Sequence, residues 1–246
     1  MKEELVAGIR PVTEALAANR NIEKLLVRRD SGHAALKEIK QLALEREIPW
    51  QPVPVEKLDR MTNTEHQGVI ALLSPVEEQN LDEVIARAYE RGETPLILAL
   101  DGVTDVRNVG AVARSAECFG AHGVLVPKQG SARLGSDAVK SSAGALMRVP
   151  VCRAMDFAGA LKRAQEHGLR IVACTEKGAG EVADADLKGP LVLVMGAEDT
   201  GVSSQVLRIA EDLVRIPMIG SIGSLNVSVA SGIALYAVLK QRATQG

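Results

Sequence analysis

A glycine-rich loop, G-S-I-G-S-L-N at residues 220–226, precedes a run of small and apolar residues that predicts a helix. Glycines let the backbone approach a ligand closely, and Ser224 and Asn226 can cap the first turn of that helix. The loop lacks the lysine that completes a phosphate-binding P-loop. Apolar residues in and beside it suit a flat, neutral ring: Ile216, Ile222 and Leu225. We therefore expect the loop to hold a ligand such as adenosine through main-chain hydrogen bonds.

A second candidate segment is D-G-V-T-D-V-R-N-V-G-A-V-A-R at residues 101–114, directly after an apolar run. Asn108 is placed to cap the helix predicted here. Arg107, Gly110 and Arg114 fall on one face of that helix, so Gly110 would leave room beside the Arg114 guanidinium. The alternative for Arg114 is an ordinary solvated arginine.

A third segment, G-A-E-D-T-G at residues 196–201, follows the apolar run 191–195. Acidic residues such as Glu198 in a turn of this kind are often only helix caps. The three segments would nevertheless emerge at one edge of a parallel sheet, and open α/β sheets bind ligands at that carboxyl edge. Neither the first nor the last junction contains G-x-G-x-x-G, and no nucleophile elbow is present, which disfavours a dinucleotide enzyme and a serine hydrolase.

Basic side chains outnumber acids between residues 127 and 153, where Asp137 is the one acid. The basic residues are Lys128, Arg133, Lys140, Arg148 and Arg153. Glycines and serines, Ser142 among them, separate them. A flexible stretch of this composition suits contact with a nucleic-acid backbone, and a solvated surface loop is the alternative.

The elements around these segments predict two α/β domains. Residues 1–74 form the first domain, with candidate strands at 25–28 and 68–73 and a helix at 34–47. Residues 75–94 are acidic, and we predict that they form a linker with one weakly amphipathic helix. From residue 95 to 246, continuous apolar runs predict strands buried on both faces of a parallel sheet covered by helices. These runs are 96–100, 123–126, 170–173, 191–195 and 213–216.

Composition disfavours several further classes of protein. The net charge of −2 gives no global argument for nucleic-acid binding, and an aromatic content of 2% argues against a base-stacking platform. The cysteines are expected to be buried free thiols, and none has metal-ligand spacing: Cys118, Cys152 and Cys174. The histidines are expected to be satisfied or exposed: His33, His66, His122 and His167. Without a secretory h-region or a membrane-length apolar run, the prediction is a cytoplasmic protein.

Three motifs together resemble the signatures of the SpoU branch of the SPOUT RNA 2′-O-ribose methyltransferases. They are N-V-G-A-V-A-R at 108–114, M-G-A-E-D-T-G at 195–201 and I-P-M-I-G-S-I-G-S-L-N-V-S-V-A at 216–230. The N-terminal segment, with Gly8 and H-Q-G-V at 66–69, is similar to the L30e-like substrate-binding domain of many members. With that domain, the chain most resembles the bacterial group that methylates a guanosine of 23S ribosomal RNA.

The resemblance implies a catalytic domain with a deep C-terminal trefoil knot, S-adenosylmethionine as methyl donor, and a homodimer with the active site near the subunit interface. The implied cofactor residues are Gly196, Ile216, Leu225, Met218 and Ser224. The implied catalytic and substrate-positioning residues are Asn108, Arg114, Glu198, Ser224 and Asn226. RNA contacts are expected from Arg107, Lys128, Arg133, Lys140 and Arg148.

Methyl transfer to a ribose hydroxyl requires in-line positioning and loss of a proton. The family proposal makes Arg114 the general base, but arginine side chains stay protonated in proteins. Our hypothesis is that Arg114, held by Asn108 and Glu198, stabilises the developing alkoxide and an adjacent phosphate. One alternative is a tRNA ribose methyltransferase, which the N-terminal domain disfavours. A second is a noncatalytic RNA-binding factor. A third is a nucleotide-dependent α/β enzyme, although the chain lacks the sequence fingerprint of that class.

Overall fold

The computed structural model describes residues 4–18, 20–29, 33–46 and 48–243. The chain forms two compact units, the first of Met1–Val76 with Leu134–Ser136, and the second of Glu77–Arg133 with Asp137–Gly246. The predicted end of the helix at Glu47 lies outside the described residues. Within the described part of the chain, no helix is both long enough and apolar enough to cross a bilayer.

In its described residues, the first unit is a four-stranded mixed sheet with three helices. Its elements are β1 (Leu5–Ala7), α1 (Ile9–Ala17), β2 (Ile22–Arg28), α2 (Ala34–Glu45), β3 (Trp50–Val53), α3 (Val55–Met61) and β4 (Val69–Leu73). The strand order is β1-β4-β2-β3, with β4 antiparallel to β1 and β2, and β2 parallel to β3. The amphipathic faces of α1 and α2 bury Leu16, Leu36 and Ile39 against Leu25 and Val69. Both strands predicted for this domain are confirmed.

Two side chains of the first unit have specific partners. His66 accepts a hydrogen bond at Nδ1 from the Gly68 amide (2.9 Å) and contacts Asp59 Oδ1 through Nε2 (2.9 Å), so both ring nitrogens are engaged, as expected for a satisfied histidine. Trp50 lies on the edge strand β3 with 38% of its surface exposed. The Lys40 ammonium lies 4.8 Å from the centre of its ring, within cation–π range.

The second unit is a seven-stranded parallel sheet of order β7-β6-β5-β10-β8-β11-β9. Its strands are β5 (Leu96–Asp101), β6 (Gly123–Pro127), β7 (Val151–Ala154), β8 (Arg170–Cys174), β9 (Gly180–Glu181), β10 (Leu191–Gly196) and β11 (Asp212–Arg215). Its helices are α4 (Leu81–Glu90), α5 (Val106–Cys118), α6 (Ser136–Ser141), α7 (Phe157–Glu166), α8 (Ser204–Ile209) and α9 (Val227–Ala243), with a 3-10 turn at Ala145–Met147. Four of the five predicted apolar runs lie wholly in strands, the run 213–216 extends one residue past the end of β11, and the α/β class is confirmed. The trefoil knot stays a prediction from the family resemblance.

The segment predicted as a linker, residues 75–94, contributes to the core of the second unit. It contains α4, which Asn80 caps by accepting a hydrogen bond from the Asp82 amide (2.8 Å). Val84 and Ile85 of this helix are buried against the sheet. The acidic composition concealed this role because the acids lie on the outer positions of an amphipathic helix.

The cysteines differ in exposure. Cys152 is buried and Cys174 partly buried, and burial raises the pKa of Cys152 to about 12 and that of Cys174 to about 11. Both thiols are therefore protonated at neutral pH. The prediction was wrong for Cys118, which is exposed at the end of α5.

Candidate active site

A pocket of about 380 Å³ lies over the carboxyl ends of β8, β10 and β11. This is the edge at which open parallel sheets bind ligands. Backbone-rich loops and apolar side chains line it, and it includes all five residues expected to contact a cofactor: Gly196, Ile216, Met218, Ser224 and Leu225. The structure thus brings together residues from two distant loops in a cavity large enough for a small organic ligand.

Gly196 is required by the close return of its own loop. A bridge joins Ala197 to Gly201, whose amide donates to the Ala197 carbonyl (2.8 Å). A Cβ on Gly196 would lie 2.2 Å from the carbonyl carbon of Gly201 and 2.3 Å from the Val202 nitrogen. Because these neighbours are backbone atoms, only glycine lets the loop close and form this wall of the pocket.

The carboxylate of Glu198 joins three segments of the chain. Its Oε1 accepts hydrogen bonds from Asn108 Nδ2 (3.2 Å), from the Val227 amide (3.2 Å) and from Asn226 Nδ2. Asn226 Nδ2 also donates to Asn108 Oδ1 (3.0 Å). The start of α5, the loop after β10 and the start of α9 are thereby held together by one polar cluster beside the pocket, which we call the Glu198 cluster.

The helix caps differ in part from the predictions. α5 is capped by Asp105, whose Oδ1 accepts from the Arg107 amide (2.7 Å), and not by Asn108. Asn108 is the third residue of the helix, so its amide is available to Glu198. Asn226 does act as a cap, because its Oδ1 accepts from the Ser228 amide (2.9 Å). Ser224 is exposed and lines the pocket.

The predicted role of Gly110 was wrong. This glycine is buried on the face of α5 that meets α6, where an added Cβ would lie 1.9 Å from Ser141 Oγ. It permits two helices to approach closely and does not make room for Arg114.

Arg114 is exposed, and among the described residues its side chain has no hydrogen bond or ion pair. The expected contacts with Asn108 and Glu198 are absent. Arg114 lies six residues after Asn108, which is about 9 Å along the helix axis and a third of a turn around it. Arg107, Arg114 and Cys118 instead form one exposed stripe of α5, at spacings of seven and four. Ser115 and Phe119, next along the chain, meet Gly232 and Tyr236 of α9.

The basic residues of 127–153 do not form one flexible stretch. Arg153 is largely buried; it donates to Ser131 Oγ (3.2 Å) and the Ala132 carbonyl (3.1 Å), and burial lowers its pKa. Ser142 is buried and donates to the Val139 carbonyl (2.9 Å). Both residues are structural.

The remaining basic residues have different environments. Lys128 is exposed and Arg133 is half-buried. Lys140 forms an ion pair with Asp137 (3.6 Å), and Arg148 forms one with Glu117 (3.6 Å), both with the basic side chain well exposed. Arg107 is 88% exposed and lies 3.7 Å from Asp105. These exposed groups remain able to meet a phosphate backbone.

Sequence reasoning missed the loop after β8, where Thr175, Glu176 and Lys177 also line the pocket. Its position directly after a buried apolar run was the available signal. With Glu198 and Asp199, Glu176 gives the pocket three carboxylates against the one ammonium of Lys177. This balance favours a ligand that carries positive charge.

The fold and pocket define an α/β protein that binds a small ligand at the carboxyl edge of a parallel sheet. Residues 95–236 match the model of the SpoU rRNA methylase family, and residues 5–79 match the model for RNA 2′-O ribose methyltransferase substrate binding. The chain is 33% identical over 241 residues to YacO of Bacillus subtilis (strain 168), which is named as a TrmH family tRNA/rRNA methyltransferase. That alignment covers 98% of this chain and 97% of YacO.

Solved structures agree with these matches. The SpoU methyltransferase AviRb from Streptomyces viridochromogenes, crystallised with AdoMet, has a TM-score of 0.64 at 26% identity, with 99% of this chain and 92% of AviRb covered. The A. aeolicus TrmH/SpoU tRNA modifying enzyme has a TM-score of 0.57 at 30% identity, with 68% of this chain and 86% of that enzyme covered. The present chain belongs to the SpoU rRNA methylase family.

Proposed function

We propose that this protein transfers a methyl group from S-adenosylmethionine to the 2′-hydroxyl of a guanosine in 23S ribosomal RNA. The observation that carries the proposal is the pocket over the carboxyl edge, with the Glu198 cluster beside it. Membership of an RNA methylase family and the AdoMet complex of AviRb support the choice of reaction and of methyl donor.

The lining of the pocket fits S-adenosylmethionine. Ile216 and Leu225 offer apolar surface to an adenine ring, and the loops at Gly196 and Ser224 offer main-chain groups. The carboxylates that line the pocket suit a ligand with a sulfonium and an ammonium group. When bound, this cofactor supplies an activated methyl group with a good leaving group. The protein must then position the ribose and remove its proton.

In this proposal the Glu198 cluster positions the reacting ribose. Glu198 fixes the amides of Asn108 and Asn226, and these amides with the Ser224 hydroxyl can hydrogen-bond to ribose oxygens. Arg114 stabilises the negative charge that develops on the 2′-oxygen and contacts the neighbouring phosphate. Because Arg114 has no partner within the described chain, its guanidinium is available for RNA.

The N-terminal unit favours ribosomal RNA over tRNA in this proposal. Residues 5–79 match a substrate-binding model, whereas about a third of this chain has no counterpart in the A. aeolicus tRNA modifying enzyme. A tRNA ribose 2′-O-methyltransferase is the second candidate, because YacO carries a name that includes both RNA classes.

We also propose a homodimer formed through α9. Apolar side chains between 40% and 51% exposed recur along this helix at spacings of four, three and three: Val229, Ile233, Tyr236 and Leu239. The opposite face of α9 is buried in the second unit through Leu235 and Val238. Soluble monomers rarely expose a continuous apolar stripe of this kind, and a second copy would cover it. Arg114 would then lie beside the subunit interface, because α5 packs against α9.

Replacing Ile233 and Tyr236 together with aspartate is expected to convert the dimer to a monomer, since two charges would be buried in an apolar interface. Sedimentation velocity measures the change. The matched control is Leu44→Asp, which alters an exposed apolar side chain on α2. A double variant with the same sedimentation coefficient as the unmodified protein would refute this interface.

The function is tested by incubating the protein with methyl-labelled S-adenosylmethionine and separate pools of ribosomal RNA and tRNA. Label is expected in 23S RNA, on the ribose of one guanosine, and nuclease mapping locates it. Label in tRNA alone would establish the second candidate. Absence of label from both pools would reject the proposed activity on these substrates.

A further inference from the structure

A second concavity, of about 820 Å³, lies at the opposite edge of the same sheet. The His122 amide donates to the carbonyl of Leu96, the first residue of β5, and the Val124 amide donates to the carbonyl of Pro150, just before β7. His122 and Pro150 both line the concavity, which therefore lies at the amino ends of β5, β6 and β7. We call it the amino-edge groove. It is separated from the cofactor pocket by the length of the strands.

The amino-edge groove is rich in arginine. Four arginines and two acids line it: Arg87 of α4, Arg91 directly after that helix, Arg148, Arg242, Glu93 and Glu117. An excess of two positive charges in one groove contrasts with the net charge of −2 of the whole chain. The acids of α4 do not line the groove, and one of them, Asp82, forms an ion pair with Arg163 (3.6 Å) elsewhere.

Hydrogen bonds within the amino-edge groove occupy His122, Glu93 and Arg242 and leave the guanidinium groups of Arg87 and Arg91 available. His122 accepts from the Leu96 amide (3.0 Å) and contacts Glu93 through Nε2 (3.1 Å), so one acid is already engaged. Arg242 donates to main-chain carbonyls, including those of Thr94 and Gly189, and helps to form the wall.

Arg87 donates to the neutral side chain of Gln79, and Arg91 has no side-chain hydrogen bond or ion pair among the described residues. Both arginines are exposed; Arg87 lies in the last turn of α4, and Arg91 follows four residues later as the residue that caps the end of the helix.

The chemistry of the amino-edge groove selects the ligand. Guanidinium groups bind phosphate oxygens through paired hydrogen bonds, and two of them about 6 Å apart along a helix can contact successive phosphates of one strand. No phenylalanine, tyrosine or tryptophan lines the groove, so it lacks the large ring surfaces on which single-strand binders stack bases. These properties match a sugar-phosphate backbone.

We propose that the amino-edge groove binds the phosphodiester backbone of the RNA substrate, with Arg87 and Arg91 as the principal contacts. The inference rests on the proposed function, because it requires an RNA substrate. Its contribution is affinity without sequence preference, since phosphate contacts position an RNA but do not read its bases. The groove would thus hold a part of the RNA remote from the methylated ribose.

The test compares Arg87→Gln/Arg91→Gln with the control Lys162→Gln/Arg208→Gln, which removes the same charge from exposed positions of α7 and α8 outside the groove. Binding of deproteinised 23S ribosomal RNA is measured across a salt series. The groove variant is expected to bind roughly tenfold more weakly near physiological salt. The slope of log K against log salt should become shallower by about 0.7 to 0.9 for each phosphate that the variant no longer neutralises.

Two further readouts separate this role from a structural one. The KM for RNA should rise while kcat at saturating RNA and the affinity for S-adenosylmethionine stay unchanged. Equal RNA affinity and salt slope in the groove variant and the control would overturn the proposal. Binding of inorganic phosphate is measured on the same proteins. A groove variant that no longer binds phosphate but keeps the RNA affinity of the unmodified protein would overturn the proposal as well. The binding series requires no methyl transfer. A failure of the proposed reaction is therefore detected separately, as the absence of methyl label in RNA that was incubated with the unmodified protein.

Discussion

Replacing Arg114 with alanine is expected to lower kcat for RNA methylation by about 10²–10³-fold, the usual cost of removing one group that stabilises a developing negative charge. Affinity for S-adenosylmethionine should not change, because Arg114 does not line the cofactor pocket. Arg114→Lys keeps the charge but loses the planar fork, so its rate should lie between those of the alanine variant and the unmodified protein.

The experiment for Arg114 is a single-turnover rate measurement with saturating RNA, together with calorimetric titration of the cofactor. Cys118→Ala is the matched control, since Cys118 occupies the same exposed stripe of α5. Full activity of Arg114→Ala would eliminate the proposed role. A reduced cofactor affinity in that variant would show that the residue acts through the pocket and not on the ribose.

Gly196→Ala is expected to weaken S-adenosylmethionine binding by about 100-fold, corresponding to roughly 3 kcal/mol, the upper end of the usual cost of forcing extra atoms into a packed site. The added Cβ would meet the backbone of Gly201 and Val202, at 2.2 and 2.3 Å. The loop must therefore open and can no longer form one wall of the pocket. Calorimetric titration of the cofactor measures the loss.

The matched control is Gly189→Ala, because a Cβ at Gly189 meets no atom within 4 Å. This variant should bind the cofactor normally. Thermal unfolding of both variants shows whether Gly196→Ala still folds. A folded Gly196→Ala protein with unchanged cofactor affinity would contradict the role assigned to the loop.

Most of the sheet could be predicted because its central strands are buried on both faces. Apolar runs such as 96–100 in β5 and 191–195 in β10 contain no polar residue that could face solvent. The run 213–216 is weaker, because it includes the exposed Arg215 and only Val214 of β11 is buried. The two-residue strand β9 has no such run, and its pairing with β11 depends on the tertiary fold. The helix α4 is hard to recognise from sequence because its acidic residues make the segment polar along the chain, whereas its buried residues lie on one face of the helix.

The site could be predicted in its members but not in its contacts. Glu198 and Asn226 were found from their motifs, and their hydrogen bond joins residues 28 apart in sequence. Sequence spacing did not show that Asp105 caps the start of α5 in place of the predicted Asn108, because both side chains can accept a backbone hydrogen bond. Nor could spacing reveal that Gly110 faces Ser141, since that contact depends on how α5 and α6 pack.

Trp50 gives the molecule a built-in spectroscopic reporter. It is the one tryptophan of the chain, and it lies on the edge strand of the first unit beside the Lys40 ammonium. Tryptophan emission therefore reports the first unit alone, whereas far-ultraviolet circular dichroism is dominated by the longer helices of the second. Denaturation curves recorded with the two signals would coincide only if the units lose their structure in one cooperative step.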